Sequence, residues 1–361
     1  MNKKDNKNSD AVRICSVGGE ALMEGIMMKS PIGFAQVVKN PQGNFTVETK
    51  IQPPLSQKNK FLKLPIVRGM AGIVDSLSTG MKCLFKSAEI SGLEEPVPEE
   101  EMSKFDKFLM KKLGDKLPEV IMSISLVIAV AFSVGLFFLL PNLIAGLVIT
   151  REQSNLLYNL IEGAVRIFLF FGYMILVSRM KDIKRVFMYH GAEHKTIHCY
   201  EHMEELTVEN VRKYSKHHPR CGTAFMFVIM IISILLYSLL PRFDFFLYNL
   251  LLRLAVLPLI VGIGYEFNRL CGKYENWFTK ILRAPGMAMQ RFTTFEPEDD
   301  MIKAAILALN LSMELSPDAV GKEEHYIVDM DGNPVSEETS ETEESPDIDD
   351  DVVVKEIKEE L

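Results

Sequence analysis

Val120-Ile-Met-Ser-Ile-Ser-Leu-Val-Ile-Ala-Val-Ala-Phe-Ser-Val-Gly-Leu-Phe-Phe-Leu-Leu140 runs for 21 residues without a charge. At 1.5 Å of rise per residue such a run crosses the roughly 30 Å hydrocarbon core of a bilayer. Thr223–Leu240 is a second uncharged run, and Leu156–Ser178 and Phe246–Tyr265 are nearly as apolar. A buried helix of a soluble protein explains one such run but not four. The sequence therefore predicts a mainly α membrane protein with four transmembrane helices and a small α+β element outside the bilayer. The overall hydrophobic content, 48 % of 361 residues, is ordinary for a soluble chain and hides this pattern.

Orientation follows from the lysines and arginines beside the spans. Lys104, Lys107, Lys111, Lys112 and Lys116 precede the first, and only Arg151 follows it. Nine basic residues lie between Arg179 and Gly222, and Arg269, Lys273, Lys280, Arg283 and Arg291 follow the last span. The alternation places both termini and the 179–222 connection on the cytoplasmic side of a bacterial cell membrane. The polar residues 1–10 do not form a secretory signal and are expected to be disordered. The five cysteines fall in cytoplasmic or interfacial segments, where disulfides are not expected. Residues 316–361 carry 17 Asp and Glu against 3 Lys, so the net charge of -8 hides a basic body. That body suits contact with anionic lipid headgroups and is too weakly basic to argue for nucleic acid.

The expected organisation is a cytoplasmic α+β element and linker over 11–101, a four-helix membrane region over 102–265, a cytoplasmic helical segment over 266–315 and an acidic disordered tail over 316–361. Within the first, Gly33–Lys39 and Asn44–Lys50 read as strands around the turn Asn40-Pro-Gln-Gly43. Val17–Gly25 reads as a glycine-rich loop matching neither a Walker nor a dinucleotide fingerprint. Val67–Ile90 reads as an amphipathic helix, packed either on protein or on the membrane. Glu298–Met313 reads as another, Pro285-Gly286 as a turn and Thr207 as the N-cap of a short helix. The second span is expected to continue without a break to about Glu205.

That continuation carries His190, His194, His198 and His202, each four residues after the last and so in one row on a helix. His217-His218-Pro-Arg-Cys221 follows. Imidazole and thiolate are the usual ligands of zinc and similar ions. His190-x-x-Glu193-His194 has the form H-x-x-E-H, in which two histidines one turn apart bind zinc and the carboxylate acts on bound water. A helical row of four is too long for one ion, its outer members lying about 18 Å apart, so at most two adjacent members share one. The expected metal ligands are His190, His194, His218 and Cys221, with Glu193 as general base, a divalent metal such as zinc as cofactor, and Glu20 and Glu24 as further carboxylates. The bland alternative is a polar helix face whose histidines only hydrogen-bond. Cys221 beside His218 also has the makings of a nucleophile. Glu162 and Arg166 stand one turn apart in the second span and are expected to pair, with Arg253 as a further partner, because a lone charge in hydrocarbon is costly.

Gly18-Gly-Glu-Ala-Leu-Met-Glu-Gly25, Arg68-Gly69, His190-Gly-Ala-Glu-His194, His218-Pro-Arg-Cys-Gly222, Pro285-Gly286 and Gln290-Arg-Phe-Thr-Thr-Phe-Glu296 together resemble the YqhQ family over roughly residues 11–312. The resemblance implies a bacterial membrane protein, widespread among Gram-positive bacteria, and a metal dependence inferred from these same histidines. Two functions are carried forward. One is a metal-dependent hydrolase acting on a peptide or lipid headgroup at the cytoplasmic face. The other is a membrane scaffold or assembly factor beside the protein-translocation machinery.

Overall fold

The computed structural model describes residues 15–93, 117–149, 155–241, 243, 245–274, 276–315 and 323–335. The segment 1–10, the basic stretch from 102 to 116, Arg151 and the tail beyond 335 lie outside these. The helices are α1 (Leu55–Lys58), α2 (Val67–Ile90), α3 (Leu117–Val134), α4 (Leu140–Val148), α5 (Asn155–Val177), α6 (Lys181–Glu201), α7 (Val208–Arg212), α8 (Gly222–Ser238), α9 (Phe246–Lys273), α10 (Trp277–Thr293) and α11 (Asp299–Glu314). A π-helical turn, Gly135–Leu139, joins α3 to α4.

Five strands form an antiparallel meander: β1 (Gly18–Leu22), β2 (Gly25–Lys29), β3 (Gly33–Lys39), β4 (Phe45–Ile51) and β5 (Glu323–Val328). The β3–β4 hairpin stands where Asn40–Gly43 placed it; Gly43 takes φ +89° and the Asn40 side chain accepts the Asn44 N–H. Two expectations change. The segment read as a glycine-rich loop is the hairpin β1–β2, and part of the stretch read as a disordered tail is β5, which pairs Val47 with Tyr326. Neither has the long β-branched alternation by which strands are recognised from sequence.

Strand side chains alternate between faces. Ile26, Met28, Val37 and Val47 pack with Tyr189, Ala192, Met301, Ile302 and Leu309 of α6 and α11. Leu22, Met27, Phe34 and Val38 face Cys83 and Leu84 of α2. The sheet is thus covered on both sides, and its first face carries the larger apolar cluster. The side of α2 turned inward is made of small and polar residues, including Gly69, Ala71, Asp75, Thr79 and Ser87, while Val74 and Leu77 remain exposed.

Among the described residues, three helical stretches are long and apolar enough to cross a membrane: Ile124–Val148, Leu156–Val177 and Leu247–Leu270. Four were expected. The remaining one, α8, has 17 residues, and its apolar part, Met226–Ser238, is shorter than the others. Glu162 of α5 accepts from Arg166 at 2.8 Å and from Arg253 of α9 at 2.7 Å. Arg166 Nε also donates to the carbonyl of Phe137, in the π turn, at 2.8 Å.

The chain does not continue as one helix from α5 to the histidines. Met180 is extended, with ψ 136°, and α6 starts afresh at Lys181. After this break α6 packs against β1 and α11. Pro285-Gly286, expected as a turn, lies inside α10. Its missing N–H falls opposite Ile281, on the exposed side of that helix.

Candidate metal centre

Helix α6 is amphipathic in an unusual sense, because its buried face is polar. Glu193, His194, Lys195, Thr196, His198 and Glu201 are all buried, beside Tyr189, Ala192 and Cys199. A buried polar group is costly unless partnered, so its partners define the site.

His190 Nδ1 lies 2.8 Å from the carbonyl oxygen of Thr293, at the end of α10. His194 Nδ1 lies 2.6 Å from the carbonyl oxygen of Lys216. A carbonyl only accepts, so each ring carries its proton on Nδ1 and presents a lone pair at Nε2. The two lone pairs converge. His190 Nε2 is 3.2 Å from Cys221 Sγ, the rings of His190 and His194 lie 4.4 Å apart, and His194 Nε2 is buried with no hydrogen-bond partner among the described residues. Ligand atoms of His190, His194 and Cys221 fall within 4.8 Å of one another. A histidine whose second nitrogen donates to a main-chain carbonyl is the usual arrangement around a protein-bound metal. For zinc with Zn–N about 2.0 Å and Zn–S about 2.3 Å, tetrahedral ligands stand about 3.5 Å apart, close to the His190–Cys221 separation. Burial, followed by the neighbouring His190, holds the His194 pKa well below the ordinary imidazole range, so it is neutral as a ligand must be. Cys221 is placed by its position as N-cap of α8, where its Sγ accepts the Thr223 N–H.

Glu193 points at β1, where its Oε1 accepts the Gly19 N–H at 3.0 Å. A Cβ at Gly19 would stand 2.7 Å from the Glu193 carboxyl carbon, which explains the glycine. Burial pushes the Glu193 carboxyl up to about 7, where it exchanges a proton near neutral pH. Glu193, His194 and Cys221 line a cavity of about 220 Å³ together with Gly18, Gly19 and Glu201.

His218 is held apart from this trio. Gln290 clamps its main chain, accepting the His218 N–H at 2.9 Å and donating to its carbonyl at 2.8 Å. Its ring lies 5.7 Å from that of His194 and 4.6 Å from that of His198. It groups with His198 and Glu201, whose ligand atoms with its own fall within 4.8 Å. Neither Glu201 nor Gln290 was expected at the site. Glu201 had a legible signal, three residues after His198; Gln290 opens one of the motifs that carry the family resemblance, but an amide is no expected metal ligand. Glu20 and Glu24 do not join the centre. Strand alternation turns Glu20 to the α2 side, against Gly80, and Glu24 pairs with Arg185 at the hairpin turn.

Residues 64–315 match the family described as "Protein of unknown function (DUF1385)". The chain is 32 % identical over 317 residues to "Uncharacterized protein YqhQ" of Bacillus subtilis (strain 168), a match covering 86 % of this chain and 97 % of the relative. No solved structure matches it. All the residues around the candidate centre except those on β1 and in the segment just before it lie inside the family match, and the chain belongs to this family, the YqhQ family of proteins of unknown function.

Proposed function

We propose that the chain is a metal-dependent hydrolase anchored in the cytoplasmic membrane by four spans, with both termini and the histidine helix on the cytoplasmic side. The observation that carries the reading is the paired orientation of His190 and His194, each donating Nδ1–H to a main-chain carbonyl and presenting Nε2 toward Cys221. A bound divalent ion such as zinc would acidify water and polarise a scissile carbonyl or phosphoryl group. The residues supply the rest. Glu193 takes a proton in the cavity and returns it to a leaving group, while the Gly19 N–H fixes its orientation. Gly18, with open space where a Cβ would stand, leaves room for a substrate at the cavity wall. A peptide or lipid headgroup at the bilayer surface is the substrate class, because the site stands next to the start of α8.

The test is metal analysis of the detergent-purified chain beside the His190→Ala/His194→Ala double variant. Loss of one equivalent of zinc with folding intact supports the reading, and unchanged metal content ends it. A scaffold role, acting on client helices near the translocation machinery, is the second reading. It is favoured by the Arg166–Glu162–Arg253 cluster between helices, whose adjoining cavity, about 20 Å³, is too small for a solute. Under it, Glu162→Gln abolishes function while the histidine double variant does not.

A further inference from the structure

His198 and Glu201 lie one turn apart on α6, and the 217–221 loop lays His218 over both. All three are buried. Their hydrogen bonds leave a specific set of atoms unused. His198 Nε2 is 3.0 Å from the His217 carbonyl oxygen, so the proton sits there and Nδ1 is a lone pair. That Nδ1 is buried and has no partner among the described residues. A buried lone pair without a partner costs about 1–3 kcal/mol, and a bound cation would remove that cost.

Glu201 is oriented in the same way. The Cys15 N–H, at 2.9 Å, and Arg220 both bind its Oε1. A purely structural arginine–carboxylate pair tends to be bidentate, one bond to each oxygen. Here both donors crowd one oxygen and leave Oε2 facing His218 Nε2 at 3.4 Å. That separation is long for a hydrogen bond. It equals the spacing of about 3.3–3.4 Å expected between nitrogen and oxygen ligands of one tetrahedral ion. The Arg220 N–H donates to His218 Nδ1 at 3.3 Å, so without an ion Nε2 carries the proton and turns it toward Glu201 Oε2, and a cation bound between them would displace that proton.

We propose that His198, Glu201 and His218 form a second cation site opening on the same cavity as His190, His194 and Cys221, so that the centre holds two ions. Its donor set of two nitrogens and one oxygen suits zinc, manganese or iron, and lacks the thiolate of the first site. Glu201, His194, His218 and Cys221 share the cavity wall, which puts both sites within reach of one substrate. Two ions allow one to bind the attacking oxygen and the other the leaving oxygen of a phosphoryl or acyl group. The proposal deepens the metal reading above, and its test separates the two.

The full chain, purified in detergent and freed of metal, is titrated with Co²⁺ and followed by metal analysis and absorbance. Two equivalents are expected, and only one produces the thiolate-to-cobalt charge-transfer band. His198→Ala and the isosteric Glu201→Gln each lower the stoichiometry from two to one and keep that band. Cys221→Ser loses the band and keeps at least one equivalent. One equivalent in the wild type, unchanged in the His198 and Glu201 variants, overturns the second site and leaves the first standing. Two equivalents without a thiolate band would leave the second site and remove the first. Thermal melting of each variant identifies any that lose metal only because they fail to fold, and for those Glu201→Gln decides.

Discussion

Gly191 lies inside the His190–His194 pair, and replacing it by alanine strikes the site without touching a ligand. A Cβ there would stand 2.0 Å from the Phe295 carbonyl oxygen, against an ordinary contact of 3.4 Å or more. The clash is with main chain, so no rotamer relieves it. Helix α6 and the segment after α10 must part by on the order of 1 Å, about the shortfall in contact distance, and the His190 Nδ1–Thr293 bond spans these same two segments at 2.8 Å. A separation of that size breaks the bond. Overpacking costs about 1–3 kcal/mol, and the lost bond about 1 kcal/mol more. Loss of the group that orients a metal-bound histidine lowers metal affinity about 10- to 100-fold. The assay is zinc competition against a chromophoric chelator, with thermal melting alongside. Ala192→Gly, next along the same helix, is the control; it removes a buried methyl without a clash and should leave zinc affinity within about twofold while costing about 1 kcal/mol of stability. Gly191→Ala with wild-type zinc affinity would refute the argument that the Thr293 carbonyl orients His190.

Further outcomes follow from the same geometry. Glu162→Gln leaves the buried Arg166 and the part-buried Arg253 beside each other without their carboxylate, and should cost about 3–5 kcal/mol, read as lost yield of folded protein; a yield equal to wild type would show that the cluster is not structural. Burial raises Glu193 to about 7, so its contribution to stability is present below about pH 4.5 and is lost as the pH rises through 7. Glu193→Gln should remove that loss, shifting the difference in stability between variant and wild type by on the order of 3 kcal/mol between pH 5 and pH 8; melts that stay parallel would contradict it. His194, His198 and His218 are pushed the other way by burial, so in metal-free protein their contribution holds above about pH 6.5 and fades as acid charges them. Bound zinc should extend stability to lower pH, measured as a smaller drop in Tm on acidification, and an equal drop with and without zinc would count against ligation. Truncation after residue 315 removes β5, bares the edge of β4, and should lower hydrogen-exchange protection at alternate β4 amides first; unchanged protection there would mean the fifth strand adds nothing.

The sequence carried the parts of this fold that are periodic or punctuated. The apolar runs gave the long helices, Asn40-Pro-Gln-Gly43 gave the β3–β4 turn, and Val67–Ile90 emerged with the bounds read from its spacing. It carried less where tertiary contacts decide. Nothing local marks the break at Met180, after which α6 packs against β1 and α11. The β1–β2 hairpin is masked by its glycines, one of which is present only because Glu193 approaches it. The histidines, Glu193 and Cys221 were legible as a set because their chemistry is rare. Their division into two groups was not, because it depends on Gln290, which reaches His218 from 72 residues away.

The fifth strand has a consequence for how the chain is made. Residues 18–51 are made before the helices and form four strands, but the partner for β4 is synthesised roughly 270 residues later, and α11, which covers one face of the sheet, only slightly before it. At about 5–20 residues per second the wait is on the order of half a minute, during which the apolar runs are made. An apolar sheet face and an open edge stand uncovered for that time. The domain therefore closes only once β5 has been made, and a nascent chain that stalls anywhere among its apolar helices displays to chaperones and proteases a surface the finished protein never shows.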